Sequence, residues 1–204
     1  MRRPAPHPHL AFRGGIGYPD GAVAGRKRPA MPVKRRTMGY EIERKFLVRD
    51  ESWRALAGEA VAIRQAYLAL DAKSSIRVRI RGHDSASLTV KSRGATLKRL
   101  ELEYPIPVLD AERMLALRQG AVIEKNRHLV PWRNLTWEVD LFAGDNAGLV
   151  VAEVELRDED QRFDLPPFVG AEVTGQPQYY NSALALRPYS SWPPAEMRAA
   201  GMPA

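Results

Sequence analysis

The feature of this sequence that most restricts its fold is an alternation of charged and aliphatic residues that recurs in six segments. In the first segment, residues 41–46, it places Glu41, Glu43 and Lys45 on one face of a strand, because side chains alternate between the two faces of a strand. The later segments carry Arg77/Arg79/Arg81, Arg99/Glu101/Glu103, Lys125/Arg127, Glu138/Asp140 and Glu153/Glu155. The positions between them are mostly Ile, Val and Leu. The pattern predicts strands with one apolar and one strongly charged face.

Strand patterns dominate the chain between residues 38 and 190. Eight strands are predicted at 40–48, 61–69, 74–82, 86–92, 97–106, 121–131, 135–142 and 148–157. Short helices are expected after Asp50, with Trp53 and Leu56 facing inward, and after Asp110, with an apolar stripe of Met114, Leu115 and Leu117; a last helix is expected at about 179–186.

Two arrangements of these strands fit the alternation. A sandwich could turn the charged face to solvent, whereas a closed barrel could enclose it as a charged lumen. Solvated faces are ordinarily rich in Ser, Thr and Gln, but these positions are almost all Arg, Lys, Glu and Asp. We therefore expect a β-dominated α+β fold: an eight-stranded antiparallel β-barrel with a few short helices packed outside.

Charge is distributed unevenly along the 204 residues. Residues 1–37 hold nine Lys or Arg and one acidic residue, whereas the rest of the chain holds 22 basic and 23 acidic residues. A nucleic-acid-binding domain should be basic in its folded part, so we expect no specific nucleic-acid partner. We predict a disordered basic tail at 1–37, a folded domain at 38–190 and a flexible C-terminal tail at 191–204.

Cysteine content and hydropathy exclude further classes. The chain has no cysteine, which excludes disulfides, thiolate metal sites and a cysteine nucleophile and fits a reducing compartment. No apolar run approaches the roughly 18 residues of a membrane span. We therefore expect a cytoplasmic protein with no membrane partner.

The charged face itself suggests a ligand. Carboxylates are suited to a hard cation and Lys or Arg to an anion, and a metal-bound triphosphate needs both. The sequence contains no P-loop, HExxH or GxGxxG motif.

Residues 41–48 (Glu-Ile-Glu-Arg-Lys-Phe-Leu-Val) resemble the N-terminal ExExK signature of the CYTH proteins, or triphosphate tunnel metalloenzymes. Eight further blocks follow in the family's order, at 64–68, 79–81, 88–91, 99–104, 124–127, 138–142, 151–155 and 172–174. The resemblance covers about 40–189 and is closest to short bacterial inorganic triphosphatases. It implies an eight-stranded barrel whose lumen binds triphosphate and Mg²⁺ or Mn²⁺.

The resemblance also implies a role for each charged position. The phosphate-binding residues would be Lys45, Arg79, Arg81, Lys91, Arg99, Lys125 and Arg127. The metal-binding residues would be Glu41, Glu43, Glu101, Glu103, Asp140, Glu153 and Glu155. Catalysis would depend on Lys125, Glu43, Glu155 and Tyr67, although Tyr67 could equally be a packing residue at the barrel rim. Arg77 forms a second Arg-x-Arg pair with Arg79 and is expected at the tunnel mouth.

Several functions remain open from the sequence. The leading one is metal-dependent hydrolysis of tripolyphosphate to pyrophosphate and phosphate. A class IV-type adenylate cyclase and a thiamine triphosphatase are alternative enzymes, and a polyphosphate- or nucleotide-binding sensor is the non-enzymatic alternative. In each case the partner is a small anionic molecule, and the protein would be a monomer or homodimer.

Overall fold

The computed structural model describes residues 42–92 and 100–200, and within them nine strands form one antiparallel sheet. The strands are β1 Ile42–Val48, β2 Val61–Leu70, β3 Ser74–Arg81, β4 Ser85–Ser92, β5 Glu101–Pro105, β6 Gln119–Trp132, β7 Leu135–Ala143, β8 Val150–Leu156 and β9 Val169–Glu172. Their spatial order is β5-β4-β3-β2-β6-β7-β8-β1-β9.

This barrel-like antiparallel sheet confirms the predicted β-dominated fold class. The eight predicted strands correspond to β1–β8, although Glu41 and residues 97–99 lie outside the described residues. Among the described residues the hydrogen bonding ends at β5 on one side and at β9 on the other, so the sheet is not closed. The sequence pattern missed β9 because it has only four residues and follows Pro166 and Pro167.

The apolar face of the sheet is the outer face and is covered by other parts of the chain. Phe46, Trp137 and Phe168 are at most 2% exposed and pack together on the outside of β1, β7 and β8. Ala66, Val78 and Ile80 pack against helix α1 (Val108–Leu115) on the outside of β2 and β3. The charged residues therefore point to the opposite side.

The short helices follow the prediction in place but not in every contact. A 3₁₀ turn at Glu51–Ala55 begins after Asp50, whose carboxylate accepts a hydrogen bond from Ser52 N at 2.9 Å, and it buries Trp53. Leu56 and Leu117 were expected to face inward, but they are 41% and 72% exposed. Both expectations are wrong because each helix ends before the residue, at Ala55 and Leu115, and the helical period no longer applies.

The C-terminal segment packs against one end of the sheet. It comprises α2 (Asn181–Leu186), a 3₁₀ turn at Tyr189–Ser191 and α3 (Pro194–Ala200). Trp192 is 4% exposed and lies 5.5 Å from Tyr179 and 5.2 Å from Tyr189 between ring centroids. The expectation of a flexible tail from 191 is therefore wrong up to residue 200; residues 201–204 lie outside the described part.

Five buried strand residues of the charged face lie next to the C-terminal segment, and we call these five the floor: Leu47, Tyr67, Ile123, Phe142 and Val151. The floor and the C-terminal residues Tyr179, Tyr189 and Trp192 belong to one buried cluster, which we call the floor cluster. Because neighbouring strands run in opposite directions, the floor residues lie near the same end of the sheet. The cluster therefore covers one end of the charged side of the sheet. No helix in residues 42–92 or 100–200 is long and apolar enough to cross a membrane.

Candidate active site

Strand register brings most of the predicted site residues onto one face, which we call the lumen face. Directly opposite pairs are Glu43–Glu155, Lys45–Glu153, Glu138–Glu153, Arg127–Asp140, Gln65–Arg79, Arg77–Thr89, Thr89–Glu103 and Lys91–Glu101. Lys45, Lys125, Asp140 and Glu153 are at most 7% exposed, so this is not the solvated face of a sandwich. The predictions for Glu41 and Arg99 lie outside the described residues.

The strands β6, β7, β8 and β1 form what we call the acidic wall. Its lumen face carries three cations, Lys45, Lys125 and Arg127, and five carboxylates, Glu43, Glu138, Asp140, Glu153 and Glu155. The cations are held in a continuous network of ion pairs. Their positions are therefore fixed by the fold before any ligand binds.

Asp140 and Glu153 use both carboxylate oxygens within this network. Arg127 donates to Asp140 from Nε at 2.7 Å and from Nη2 at 2.6 Å, and Lys125 Nζ donates to Asp140 Oδ2. Glu153 accepts from Lys45 Nζ through Oε1 and from Arg127 Nη2 through Oε2, the latter at 3.0 Å. Arg127 Nη1 also donates to Glu138. Asp140 and Glu153 thus orient the three cations.

The network shifts the pKa values of its buried members. Burial alone would raise the pKa of Glu153, but Lys45, Lys125 and Arg127 outweigh it and hold that pKa below its ordinary value. Burial alone would lower the pKa of Lys45, whereas Glu153 and Glu43 raise it. Burial and the charge of Arg127 lower the pKa of Lys125 despite the opposing effect of Asp140. At neutral pH Lys45 and Glu153 are therefore a charged pair.

Glu43 and Glu155 are the more accessible carboxylates of the acidic wall. The Glu43 side chain is 45% exposed, its carboxylate lies 3.2 Å from Lys45 Nζ, and Glu155 lies opposite it on β8. Desolvation within the lumen and the charge of Glu153 raise the pKa of Glu43. Two oxygen donors side by side fit a hard divalent cation, and Glu41 precedes Glu43 by two residues. Among residues 42–92 and 100–200, however, no cluster of three His, Asp or Glu forms a complete metal site.

The strands β2, β3, β4 and β5 form what we call the basic wall. Among its described lumen residues are four cations, Arg77, Arg79, Arg81 and Lys91, and only two carboxylates, Glu101 and Glu103. Lys91 Nζ lies 2.7 Å from Glu101 Oε2. Burial and the neighbouring charges of Arg77 and Arg127 lower the pKa of Arg79 to about 10. Burial is the main cause of this shift, and repulsion from the two neighbouring guanidinium groups adds to it.

The depth of the arginines differs from the expectation. Arg77 lies opposite the floor residue Tyr67, and its side chain is only 12% exposed. Arg81 is exposed, lies opposite Ser85 and adjoins the turn that begins at Gly82. The prediction that Arg77 sits at the mouth is therefore wrong: β3 runs from the floor outward, so Arg81 is at the open end and Arg77 at the inner end.

Tyr67 lies in the floor, not at the rim. It is 7% exposed, and burial raises the pKa of its hydroxyl. Its nearest charged neighbours include Arg77 and Arg79. The phenol therefore borders the inner end of the basic wall.

Three polar residues of the lumen face were not predicted as site residues. Gln65 is fully buried and accepts a hydrogen bond from Arg79 Nε at 3.2 Å. Thr89 accepts from Arg77 Nη2 at 3.3 Å and donates to Glu103 at 3.1 Å. Arg77 was recognised only as part of an alternative Arg-x-Arg pair. The sequence did contain a signal, which is the two-residue period of a strand. Gln65 must share a face with Tyr67 on β2, and Thr89 must share a face with Lys91 on β4.

The chain is similar in sequence and fold to known proteins. The model of the CYTH domain matches residues 39–187. An inorganic triphosphatase of Acetivibrio thermocellus is 46% identical over 156 residues, which cover 76% of this chain and 99% of that protein. An inorganic triphosphatase of Nitrosomonas europaea is 40% identical over 151 residues, covering 72% of this chain and 97% of that protein. The crystal structure of an inorganic triphosphatase matches with a TM-score of 0.56 and 37% identity, over 72% of this chain and 94% of that one.

Proposed function

Because this chain belongs to the CYTH domain family, we propose that it is a metal-dependent hydrolase that splits inorganic triphosphate into pyrophosphate and phosphate. The observation that carries the proposal is the division of the lumen face. The basic wall has an excess of cations, the acidic wall has an excess of carboxylates, and both belong to the lumen face of the sheet. A polyanion accompanied by a divalent cation matches both walls.

Phosphate binding is assigned to the cations of both walls. Arg79, Arg81 and Lys91 lie on the basic wall, and Lys45, Lys125 and Arg127 lie on the acidic wall, where Arg127 is close enough to Arg79 to affect its pKa. Guanidinium and ammonium groups form short charge-assisted hydrogen bonds to phosphate oxygens. Since the acidic wall already holds its cations in place, little side-chain entropy remains to be lost on binding. Arg99 is assigned to the same function on the family resemblance.

Mg²⁺ or Mn²⁺ would be held by Glu43 and Glu155 together with Glu41. The cation would neutralise part of the negative charge of the phosphate chain. The accessible carboxylates of Glu43 and Glu155 provide the oxygen ligands that these cations prefer. Glu101 and Glu103, on the basic wall, would help to orient Lys91 and Arg77. Asp140 and Glu153 are assigned to supporting the cations, because both of their oxygens are already occupied.

In this proposal, the chain's own side chains perform three tasks during hydrolysis. Glu43 or Glu155 accepts a hydrogen bond from the attacking water, directs its lone pair at a terminal phosphorus and takes its proton as the P–O bond to the departing pyrophosphate breaks. Lys125 and Arg127 stabilise the negative charge that develops on the departing phosphate oxygens. Tyr67 limits the inner end of the lumen and excludes water there.

The other functions are less favoured. Both curated relatives are named inorganic triphosphatase. A sensor that binds only an anion would gain nothing from five lumen-facing carboxylates on the acidic wall. The expected cytoplasmic location, and monomer or homodimer state, stay predictions.

A substrate panel tests the proposal. Phosphate release would be measured from tripolyphosphate, ATP, GTP, thiamine triphosphate and pyrophosphate, each with Mg²⁺, Mn²⁺ or EDTA. We expect tripolyphosphate to be hydrolysed fastest and only with metal, and the Lys125→Met variant, prepared in parallel, to lose most of its kcat. Faster formation of cyclic AMP from ATP than of phosphate from tripolyphosphate would show that the substrate assignment is wrong.

A further inference from the structure

Two buried N–H donors at the inner end of the basic wall have no acceptor within the described part of the chain. One is Nε2 of Gln65, a residue with no exposed surface, and the other is Nε of Arg77. Buried donors are nearly always hydrogen-bonded in native proteins, and among the unpaired buried donors of the described residues these two lie together on the lumen face. A ligand that supplies acceptors is one explanation.

The surrounding contacts fix where these donors point. The Gln65 carbonyl oxygen accepts from Arg79 Nε, so the amide nitrogen must face away from that guanidinium nitrogen. Nη2 of Arg77 donates to Thr89, which in turn donates to Glu103, and this chain holds the guanidinium in one orientation. Neither contact uses the Nε donor of Arg77, and the Tyr67 hydroxyl lies beside the same guanidinium.

The two donors and Arg79 are close together by register. Gln65 and Arg79 lie directly opposite each other on β2 and β3, and Arg77 is the next residue of β3 on the same face. Same-face neighbours one step apart along a strand are separated by about 7 Å, a distance that a single phosphoryl group and two long side chains can bridge. Tyr67, opposite Arg77, and the floor cluster lie immediately below.

We propose that Gln65, Arg77 and Arg79 form an inner anion subsite that binds the free terminal phosphoryl group of a linear triphosphate. The inference rests on the proposed function and adds Gln65 and Arg77 to it. A terminal group offers three unesterified oxygens, enough acceptors for the Gln65 amide, the Arg77 Nε and Arg79 together. Because the floor covers this end, the subsite accepts only an end of the phosphate chain. An esterified phosphate lacks one of these oxygens and therefore offers fewer acceptors to the three side chains.

Metal-free titration calorimetry of the full chain with tripolyphosphate tests the subsite. Arg77→Met and Gln65→Leu remove the donors but keep the side-chain volume, and Arg64→Gln, on the outer face of β2, is the control. We expect Kd to rise roughly tenfold to a hundredfold for Arg77→Met and about tenfold for Gln65→Leu, as for the loss of hydrogen bonds to a charged group, with no change for Arg64→Gln. Arg77→Lys keeps the positive charge but lacks the several N–H donors of a guanidinium. We expect its Kd for tripolyphosphate to lie between those of the wild type and Arg77→Met.

The melting temperatures of the ligand-free variants separate this role from a purely structural one. Each variant also loses one hydrogen bond within the protein, from Arg79 Nε to Gln65 or from Arg77 Nη2 to Thr89, so we expect the melting temperature to fall by only about 2–4 °C. If Arg77→Met fails to fold, the Arg77→Lys comparison is used instead. Wild-type tripolyphosphate affinity in both Gln65→Leu and the folded Arg77 variant would overturn the proposal.

A second probe tests whether the subsite recognises a free chain end. Diadenosine triphosphate has both ends esterified, so we expect it to bind at least about a hundredfold more weakly than tripolyphosphate, with no further loss in Arg77→Met. If Arg77→Met lost the same factor in affinity for diadenosine triphosphate as for tripolyphosphate, the subsite would not recognise a free chain end. Since binding is measured without turnover, Arg77-dependent binding with no phosphate release would refute the proposed function alone. Turnover with an unchanged KM in Arg77→Met would refute the subsite alone.

Discussion

Arg127 donates to both carboxylate oxygens of Asp140, from Nε at 2.7 Å and from Nη2 at 2.6 Å, and Asp140 has no exposed surface. The two residues lie directly opposite each other on β6 and β7. This two-point contact fixes the plane of the guanidinium, while Lys125 shares the same carboxylate. Asp140 therefore compensates two buried cations at once.

We expect Asp140→Asn to lower the free energy of unfolding by about 3 kcal/mol, because the substitution keeps the shape but leaves Lys125 and Arg127 with less compensating charge in a buried site. Urea denaturation monitored by circular dichroism measures this loss. Asp145→Asn, in an exposed turn after β7, is the matched control and should change little. Equal stability of the two variants would show that Asp140 does not hold the network together.

We expect Glu43→Gln and Glu155→Gln each to lower kcat about a hundredfold or more in the presence of Mg²⁺ or Mn²⁺, because the loss of one carboxylate weakens charge stabilisation around the phosphate. Both variants should keep the melting temperature of the wild type, since these carboxylates are the accessible ones of the acidic wall. Glu112→Gln, which changes an acid on the outer helix α1, serves as the control. The role of the pair would be refuted by wild-type kcat in either variant.

The two arginines of the predicted Arg-x-Arg pair should contribute unequally. Arg79 lies inside the lumen beside Gln65, whereas Arg81 is exposed at the open end. We expect Arg79→Gln to lower kcat/KM for tripolyphosphate by about a hundredfold and Arg81→Gln by less than about tenfold, because a desolvated contact is worth more than a solvated one. Steady-state kinetics of the two variants measure the ratio, and a larger effect at Arg81 would contradict this order of depth.

Acid stability should depend on Glu153. Its pKa is held below the ordinary 4.5 in the folded protein, so its contribution to stability is fully present above pH 4.5 and is lost as the pH falls below that value. We expect the unfolding free energy of the wild type, measured in EDTA, to fall more steeply below pH 4.5 than that of Glu153→Gln. Glu159→Gln, at an exposed position, should keep the wild-type slope. Parallel curves for wild type and Glu153→Gln would refute the depressed pKa.

Residues 1–37 are predicted to be dispensable for catalysis. The family match begins at residue 39, and all predicted site residues lie at or after Glu41. We expect the chain shortened to 38–204 to keep the kcat/KM of the full chain and its melting temperature within a few degrees. A large loss of either quantity would indicate that the basic segment acts on the domain.

The sequence by itself determined which side chains share a face. A strand has a period of two residues, so the alternation at Glu43/Lys45, Lys125/Arg127 and Glu153/Glu155 was enough to place the charges of each strand together, whatever the partners of that strand. Local patterns likewise located eight strands and the turn after Asp50. The family resemblance then supplied the roles of most charged positions.

Tertiary structure decided how these faces meet. Depth along the lumen depends on the direction of β3 relative to the floor, which placed Arg77 inside and Arg81 outside, and no local pattern contains that direction. The supporting role of Asp140 arises from the neighbouring positions of Lys125 and Arg127 on β6. The cluster that covers the floor contains both Tyr67 and Trp192, which are separated by more than half of the chain. Such contacts join residues distant in sequence, and their stability comes from burial and charge pairing that exist only once the sheet has formed.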